Sequence, residues 1–413
     1  MMQLSASWYL FFHIIRILCS SFSSHKFSMF TPTLVEKFKS LETPFYYYDL
    51  DLLNKTLDQI KKHGISKGFV VHFAVKANFN IKLLEIIRDA GLGIDCVSGR
   101  EIERAIEAGF RPNQIAFAGV GKTDKEIRTG LEHNIFSFNC ESLQELSVLN
   151  DLASQMGKTA DVSVRLNPNI EVKTHKYITT GLSENKFGIT SDKLPSLFDL
   201  LPTLTSIRLK GIHVHIGSQI TDLEPYISLC DKINSIQQLF IEKGFELEHL
   251  NVGGGYGINY SDPDKEPIPD FQSFFEVFEN HLEVREQQHV HFELGRSIVG
   301  QCGSLISKVL FIKEGISTNF AIIDAGMTEL IRPALYQAKH RVDVLTSQKQ
   351  TKIYDMVGPV CETSDTFRRG VLLPEMQRGD IVAIRSAGAY GEVMSSAFNL
   401  RDRVKAYYSD GLF

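Results

Sequence analysis

Several short stretches place reactive side chains at the ends of β-like runs. Lys76 sits in HFAVKANFN, where Val70, His72, Ala74 and Lys76 alternate onto one face of a strand. An amine there is costly to bury unless it is paired or used covalently, and a lysine snorkelling from a strand end is the plain alternative. GIHVHIGSQ (211–219) puts His213 and His215 on the same side. No third ligand stands at metal spacing, so a histidine beside a cofactor ring, or a hydrogen-bonded core histidine, is the better reading and no metal is expected. NVGGGYG (251–257) sets three glycines directly after a strand. Their N–H groups suit a phosphate, although a tight turn needs glycines equally and neither a dinucleotide fingerprint nor a P-loop lysine is present.

Two further segments add charge. HFELGRS (291–297) ends a strand on Glu293 and Arg296. The carboxylate suits a protonated ring nitrogen, and the guanidinium suits a phosphate or carboxylate, unless the two form a structural ion pair. GPVCETSD (358–365) carries Cys361 beside Glu362 in a polar loop, as a proton donor, a nucleophile or an inert thiol. SAGAYGE (386–392) sets Tyr390 among small residues that leave its ring accessible.

The elements that must position these residues repeat regularly. Strand-like runs at 70–78, 93–98, 114–119, 135–139, 161–167, 211–219, 249–255 and 289–294 alternate with helical patterns, several of them closed by glycines such as Gly91 and Gly109. That rhythm predicts a parallel sheet with crossover helices, closed as a (β/α)8 barrel over 45–298; an open doubly wound sheet is the alternative. Strand ends at the C-terminal mouth of a barrel are where its active site lies. After residue 300 long helical periodicity fades, and a β-rich domain is expected from 299–413 together with 29–44.

Composition excludes some functions. Hydrophobic residues make up 43%, charged residues 23%, and the net charge is −5, without a basic stripe for nucleic acid. The six cysteines are scattered and lack zinc or disulfide spacing, which suits a reducing cytoplasm. Residues 8–18 are apolar but too short to span a bilayer, and His13 and Arg16 interrupt them. We read 1–28 as an extension ahead of a start at Met29, with a targeting segment as the alternative, and expect no membrane association.

From about Thr43 onward the chain resembles the fold-type III pyridoxal-phosphate (PLP) decarboxylases, most closely their diaminopimelate branch. The matching segments are PFYYYDLDLL, HFAVKAN, GIDCVSGREIERAIEAG, FAGVGK, ENKFG, HVHIGSQI, NVGGGYGI, ELGRSIVG, DAGMTELIRPALY, GPVCETSD and AGAYGEVMSS. Singly they are weak; in this order they are highly specific. The resemblance implies decarboxylation of meso-2,6-diaminopimelate to L-lysine, the last step of lysine biosynthesis. It implies Lys76 as the Schiff-base lysine and His215 as the residue stacked on the cofactor ring. Ser218, Gly253, Gly254 and Gly255 match phosphate-binding positions, with Gly295 and Arg296 beside them, and Glu293 matches the partner of the pyridine nitrogen. Arg296, Arg332, Tyr336 and Glu362 match substrate-binding positions, and Tyr390 touches both cofactor and substrate. Cys361 matches the acid that protonates the intermediate. Cys361 and Glu362 are implied to arrive from the partner subunit of a homodimer. The family's usual E-P-G-R reads ELGR here, with Leu294 for proline, and the usual glycine pair after VS reads Gly99-Arg100. A decarboxylase for another basic amino acid, an alanine racemase and a non-catalytic homologue are the rival readings.

Overall fold

The computed structural model describes residues 29–170 and 185–412. The expectation for 1–28, and Glu184 of the ENKFG segment, lie outside the described residues. Eight parallel strands close into a barrel: β2 (Val70–Ala74), β3 (Gly93–Cys96), β4 (Ile115–Phe117), β5 (Ser137–Cys140), β6 (Ala160–Arg165), β7 (Ile207–His213), β8 (His249–Gly254) and β9 (His289–Leu294). Closure comes from β9 pairing with β2, with Glu293 opposite His72.

Crossover helices begin where the strands leave the barrel, and their sequences mark the start. Ser98, Thr123 and Ser142 each accept a hydrogen bond from the backbone N–H three residues on, of Glu101, Glu126 and Glu145. Each such cap stabilises its helix by about 1 kcal/mol and fixes the corner where its strand passes into the helix. The outer shell is apolar. In the helix Phe271–His281, Phe271, Phe274, Phe275 and Phe278 fall at helical spacing and are buried. Phe274, Phe275 and Phe278 pack their rings on Phe292 of β9.

The remaining strands build a second sheet from β10 (Gly303–Glu314), β11 (Asn319–Ile323), β12 (Val342–Val344), β13 (Thr351–Val357), β14 (Thr366–Pro374), β15 (Ile381–Ile384) and β16 (Lys405–Tyr408), joined by β1 (Phe45–Tyr48). This last membership differs from the expected barrel start at residue 45. β1 runs antiparallel to β10 and parallel to β16. Phe45, Tyr46, Tyr47 and Tyr48 are all buried, so the strand is covered on both faces and shows no alternation. The helix Pro32–Ser40, with buried Leu34, Val35 and Phe38, leads into it.

An ionic joint ties the sheet to the loop that follows β8. Arg385 donates to Asp343 at 2.7 Å and to Asp264 at 3.0 Å. Arg341 pairs with Asp343 at 2.8 Å and with Asp262 and Asp264, both at 3.1 Å.

Candidate active site

Lys76 is not on the strand. β2 ends at Ala74, and Val75–Ala77 form a 3₁₀ turn. The β-rich part holds that turn in place. The Tyr390 N–H donates to the Ala77 carbonyl at 2.8 Å, and Asn78 Nδ2 donates to the Gly388 carbonyl at 2.9 Å and to the Tyr48 hydroxyl at 2.8 Å. Lys76 Nζ reaches Asp95 Oδ2 at 2.9 Å; 38% of the lysine side chain is open to the pocket, while that of Asp95 is fully covered. Burial pulls the ammonium down, but Asp95, Tyr390 and Glu293 outweigh it and hold the amine above its ordinary range. Burial, with Glu293 nearby, pushes Asp95 up to about 6 despite Lys76.

Glu293 stands in a cage of donors. Its Oε1 accepts from Asn251 Nδ2 at 2.7 Å and Asn139 Nδ2 at 3.1 Å, and its Oε2 meets His213 Nε2 at 3.1 Å. Burial alone would raise this carboxyl. His213, then Lys76 and His215, more than offset that, so it stays well below the ordinary carboxylate range. Glu293 is therefore an anion at neutral pH.

The glycine run bends over the same opening. A Cβ on Gly253 would lie 2.3 Å from the Val214 carbonyl oxygen, one on Gly254 1.9 Å from that of Glu293, and one on Gly255 2.3 Å from that of Gly217. Gly253 and Gly255 also hold positive φ, at 69° and 96°. No side chain fits there, so bare backbone faces the cavity. The Gly254 N–H donates to His215 Nδ1 at 3.2 Å, which leaves the proton of a neutral imidazole on Nε2. Burial and the charges of Arg165 and Lys76 keep His215 neutral, well below its ordinary pKa. Arg296 donates to Ser218 Oγ at 2.9 Å and to the Tyr260 hydroxyl at 2.5 Å, and its Nε has no partner.

Lys76, His215, Ser218, Gly255, Glu293, Gly295, Arg296, Arg332, Tyr336 and Tyr390 line one cavity, with Ala74 and Tyr256. Gly253 and Gly254 lie behind it as the backbone of the turn. Cys361 and Glu362 do not join them. Both are exposed, on a loop anchored by Asp365, whose carboxylate accepts from the N–H groups of Val360 (2.7 Å) and Met327 (2.6 Å). Asp95, Asn139, Asn251 and Tyr260 complete the surroundings and were not among the sequence candidates, whereas His213, singled out there with His215, is buried against Glu293. Asn139 and Asn251 share strand phase with Ser137 and His249, so polar residues at inward-facing positions were the available signal. Tyr260 comes from a loop and carries no periodic signal.

The donor set suits a ligand with an aldehyde, a basic ring nitrogen and a phosphate. Those needs fall to Lys76, to anionic Glu293, and to the glycine turn with Ser218 and Arg296, which is the fit PLP requires. Among the described residues no helix is long and apolar enough to cross a membrane, and no cluster could hold a metal.

Comparison with known proteins agrees with this chemistry. Residues 50–300 match the family described as pyridoxal-dependent decarboxylase, pyridoxal binding domain. A diaminopimelate decarboxylase of Bacteroides thetaiotaomicron is 50% identical over 92% of this chain and 98% of its own length. One from Aquifex aeolicus is 40% identical over 90% and 87%. The crystal structure of diaminopimelate decarboxylase from Helicobacter pylori complexed with L-lysine superposes with a TM-score of 0.85 at 39% identity, covering 90% of this chain and 93% of that one. A Chlorella virus arginine decarboxylase shares the fold at 20% identity (TM-score 0.81, 92% of this chain and all of that one).

Proposed function

This chain belongs to the diaminopimelate decarboxylases of the pyridoxal-dependent decarboxylase family, and from that premise we propose how its pocket converts meso-2,6-diaminopimelate to L-lysine and carbon dioxide. The observation that carries the residue assignments is a single cavity joining Lys76, an anionic Glu293, a bare glycine turn and two arginines.

When bound, PLP supplies an electron sink for the pair left behind by the departing carboxylate. Lys76 would hold the cofactor's aldehyde carbon and surrender it to the substrate amine. Glu293, kept charged by its three donors, would hold a proton on the pyridine nitrogen. His215, neutral and fixed by Gly254, would cover the ring without adding charge. The N–H of Gly255, with Ser218 and Arg296, would take the phosphate, since those of Gly253 and Gly254 are already given to Asn251 Oδ1 and His215 Nδ1. Arg332 and Tyr336 would take the carboxylate of the far amino-acid centre, and Tyr390 would lie between cofactor and substrate.

The reaction also needs a proton donor and an anion for the far ammonium, and among the described residues the cavity lining holds no thiol and no carboxylate besides Glu293. Cys361 and Glu362 have those chemistries and are exposed. We assign them to the neighbouring site of a second copy, so the working unit is a homodimer. Free thiols at Cys96, Cys140, Cys230, Cys302 and Cys361 support action in the cytoplasm.

Purified protein with PLP and meso-diaminopimelate is expected to release carbon dioxide and lysine in equal amounts, with no putrescine or agmatine from ornithine or arginine. Lys76→Ala is expected to lose the visible absorbance of bound cofactor. A variant that keeps both band and turnover would remove Lys76 from its role.

A further inference from the structure

Arg332 opens the short helix Arg332–Tyr336 and is buried, so its guanidinium has to be held by protein. One holder is His340. Arg332 Nη1 donates to His340 Nε2 at 2.9 Å, and His340 Nδ1 donates to the Arg385 carbonyl at 2.8 Å. These partners leave the ring no choice of tautomer. A carbonyl oxygen only accepts and a guanidinium only donates, so Nδ1 carries the one proton and the imidazole is neutral. Burial, then the charge of Arg332, agrees with this by drawing His340 down to about 3.

The second holder is Tyr260. Its ring centre lies 4.7 Å from the Arg332 guanidinium and 4.9 Å from the His340 ring, at 75° to it. Its hydroxyl accepts from Arg296. Among the described residues no carboxylate pairs with Arg332 or Arg296. The arginines of the ionic joint are satisfied in the opposite manner: Arg385 and Arg341 meet Asp343, Asp262 and Asp264.

We propose that His340, with Tyr260 beneath it, is a positioning residue that holds Arg332 by a neutral acceptor and so leaves its positive charge for the substrate carboxylate remote from the reacting carbon. A carboxylate in the place of His340 would hold the guanidinium equally well but would cancel its charge and compete with the substrate. Solvent in that place would leave the guanidinium's direction unset. A neutral imidazole with one free lone pair meets both demands. The inference rests on Arg332 being the carboxylate site of the proposed function, and it adds the residue that keeps that site charged and aimed.

The test uses the PLP-loaded protein and two ligands with the same carbon chain and amines. L-lysine keeps the far carboxylate and 1,5-diaminopentane lacks it; the affinity of each is read from the change in cofactor absorbance. His340→Phe is expected to weaken lysine on the order of tenfold, the range of a lost hydrogen bond to a charged group, while diaminopentane changes less than about twofold. His340→Gln, whose amide can both accept from Arg332 and donate to the Arg385 carbonyl, is expected to restore most of the lysine affinity. KM for diaminopimelate should rise in the Phe variant with PLP occupancy unchanged. Equal weakening of both ligands, or no weakening of either, overturns the proposal. Arg332→Ala separates the two levels: if it leaves lysine binding intact, the carboxylate site itself is misassigned. If it weakens lysine while His340→Phe does not, only the role of His340 fails. Should His340→Phe not fold, His340→Ala carries the same two-ligand comparison.

Discussion

Phe292 and Glu293 are neighbours on β9 and face opposite ways. Phe292 points out of the barrel, with the rings of Phe278, Phe275, Phe69 and Phe274 at centroid distances of 4.8, 5.0, 5.2 and 5.7 Å. Glu293 points in, and its hydrogen-bond partners are Asn139, Asn251 and His213. Barrel interiors are commonly layered with branched aliphatic side chains. This lumen instead buries His72, Ser137, Asn139, Ser163, His213, Asn251 and His291. Hydrogen bonds link several of them, such as His72 to His291 at 3.0 Å. The shell holds the barrel closed, whereas the lumen exchanges apolar burial for control of one charge. One strand serves both because its side chains alternate.

Phe292→Ala is the most damaging break of the comparison on the shell side. Loss of a fully buried ring amid close neighbours is expected to cost about 3–5 kcal/mol in a denaturant titration, with the cofactor absorbance of the folded fraction unchanged. On the lumen side, Glu293→Gln is expected to cost about a hundredfold or more in kcat, the scale of a misplaced essential proton, with a smaller loss of stability than Phe292→Ala. If the two variants lose stability and turnover in equal proportion, the division between shell and lumen does not hold.

Asn251→Leu sharpens the same comparison with a smaller effect, about 1–2 kcal/mol for the lost donor. Glu293 has a folded pKa below its unfolded value, so its ionised form stabilises the fold above the ordinary carboxylate pKa of about 4.3. That contribution fades as pH falls through the depressed value. With one donor gone the depressed value rises, so acid unfolding followed by circular dichroism is expected to move to higher pH. No movement would mean that Asn251 does not help set the charge.

Much of this was legible because it repeats or clusters. Eight strand–helix units read as a barrel from periodicity, and the cavity gathers most of the motif residues from Lys76 to Tyr390. The exceptions have physical causes. β1 lacks alternation and pairs with a strand beginning at Gly303, so neither pattern nor proximity marks its sheet. Strand alternation carried through Lys76 because nothing local announces the 3₁₀ turn, which is tied down from Gly388 and Tyr390. Tyr260 and His340 reach Arg332 from irregular segments, where no period exists to read. Cys361 and Glu362 were legible as chemistry, yet one chain does not bring them to the cavity.

The place of β1 between β10 and β16 bears on the order in which the molecule can be made. The Leu50 N–H donates to Ser409 Oγ across 359 residues, and Tyr48 pairs in parallel with Tyr408. On a ribosome every barrel strand is available once Leu294 has emerged. The first strand of the described chain, however, must wait with one flank open until Lys405–Tyr408 follow. An unpaired strand edge is a hazard during that interval, and four consecutive aromatic residues make this edge an adhesive one. Nascent chains stopped before Lys405 should therefore depend on chaperones far more than released ones.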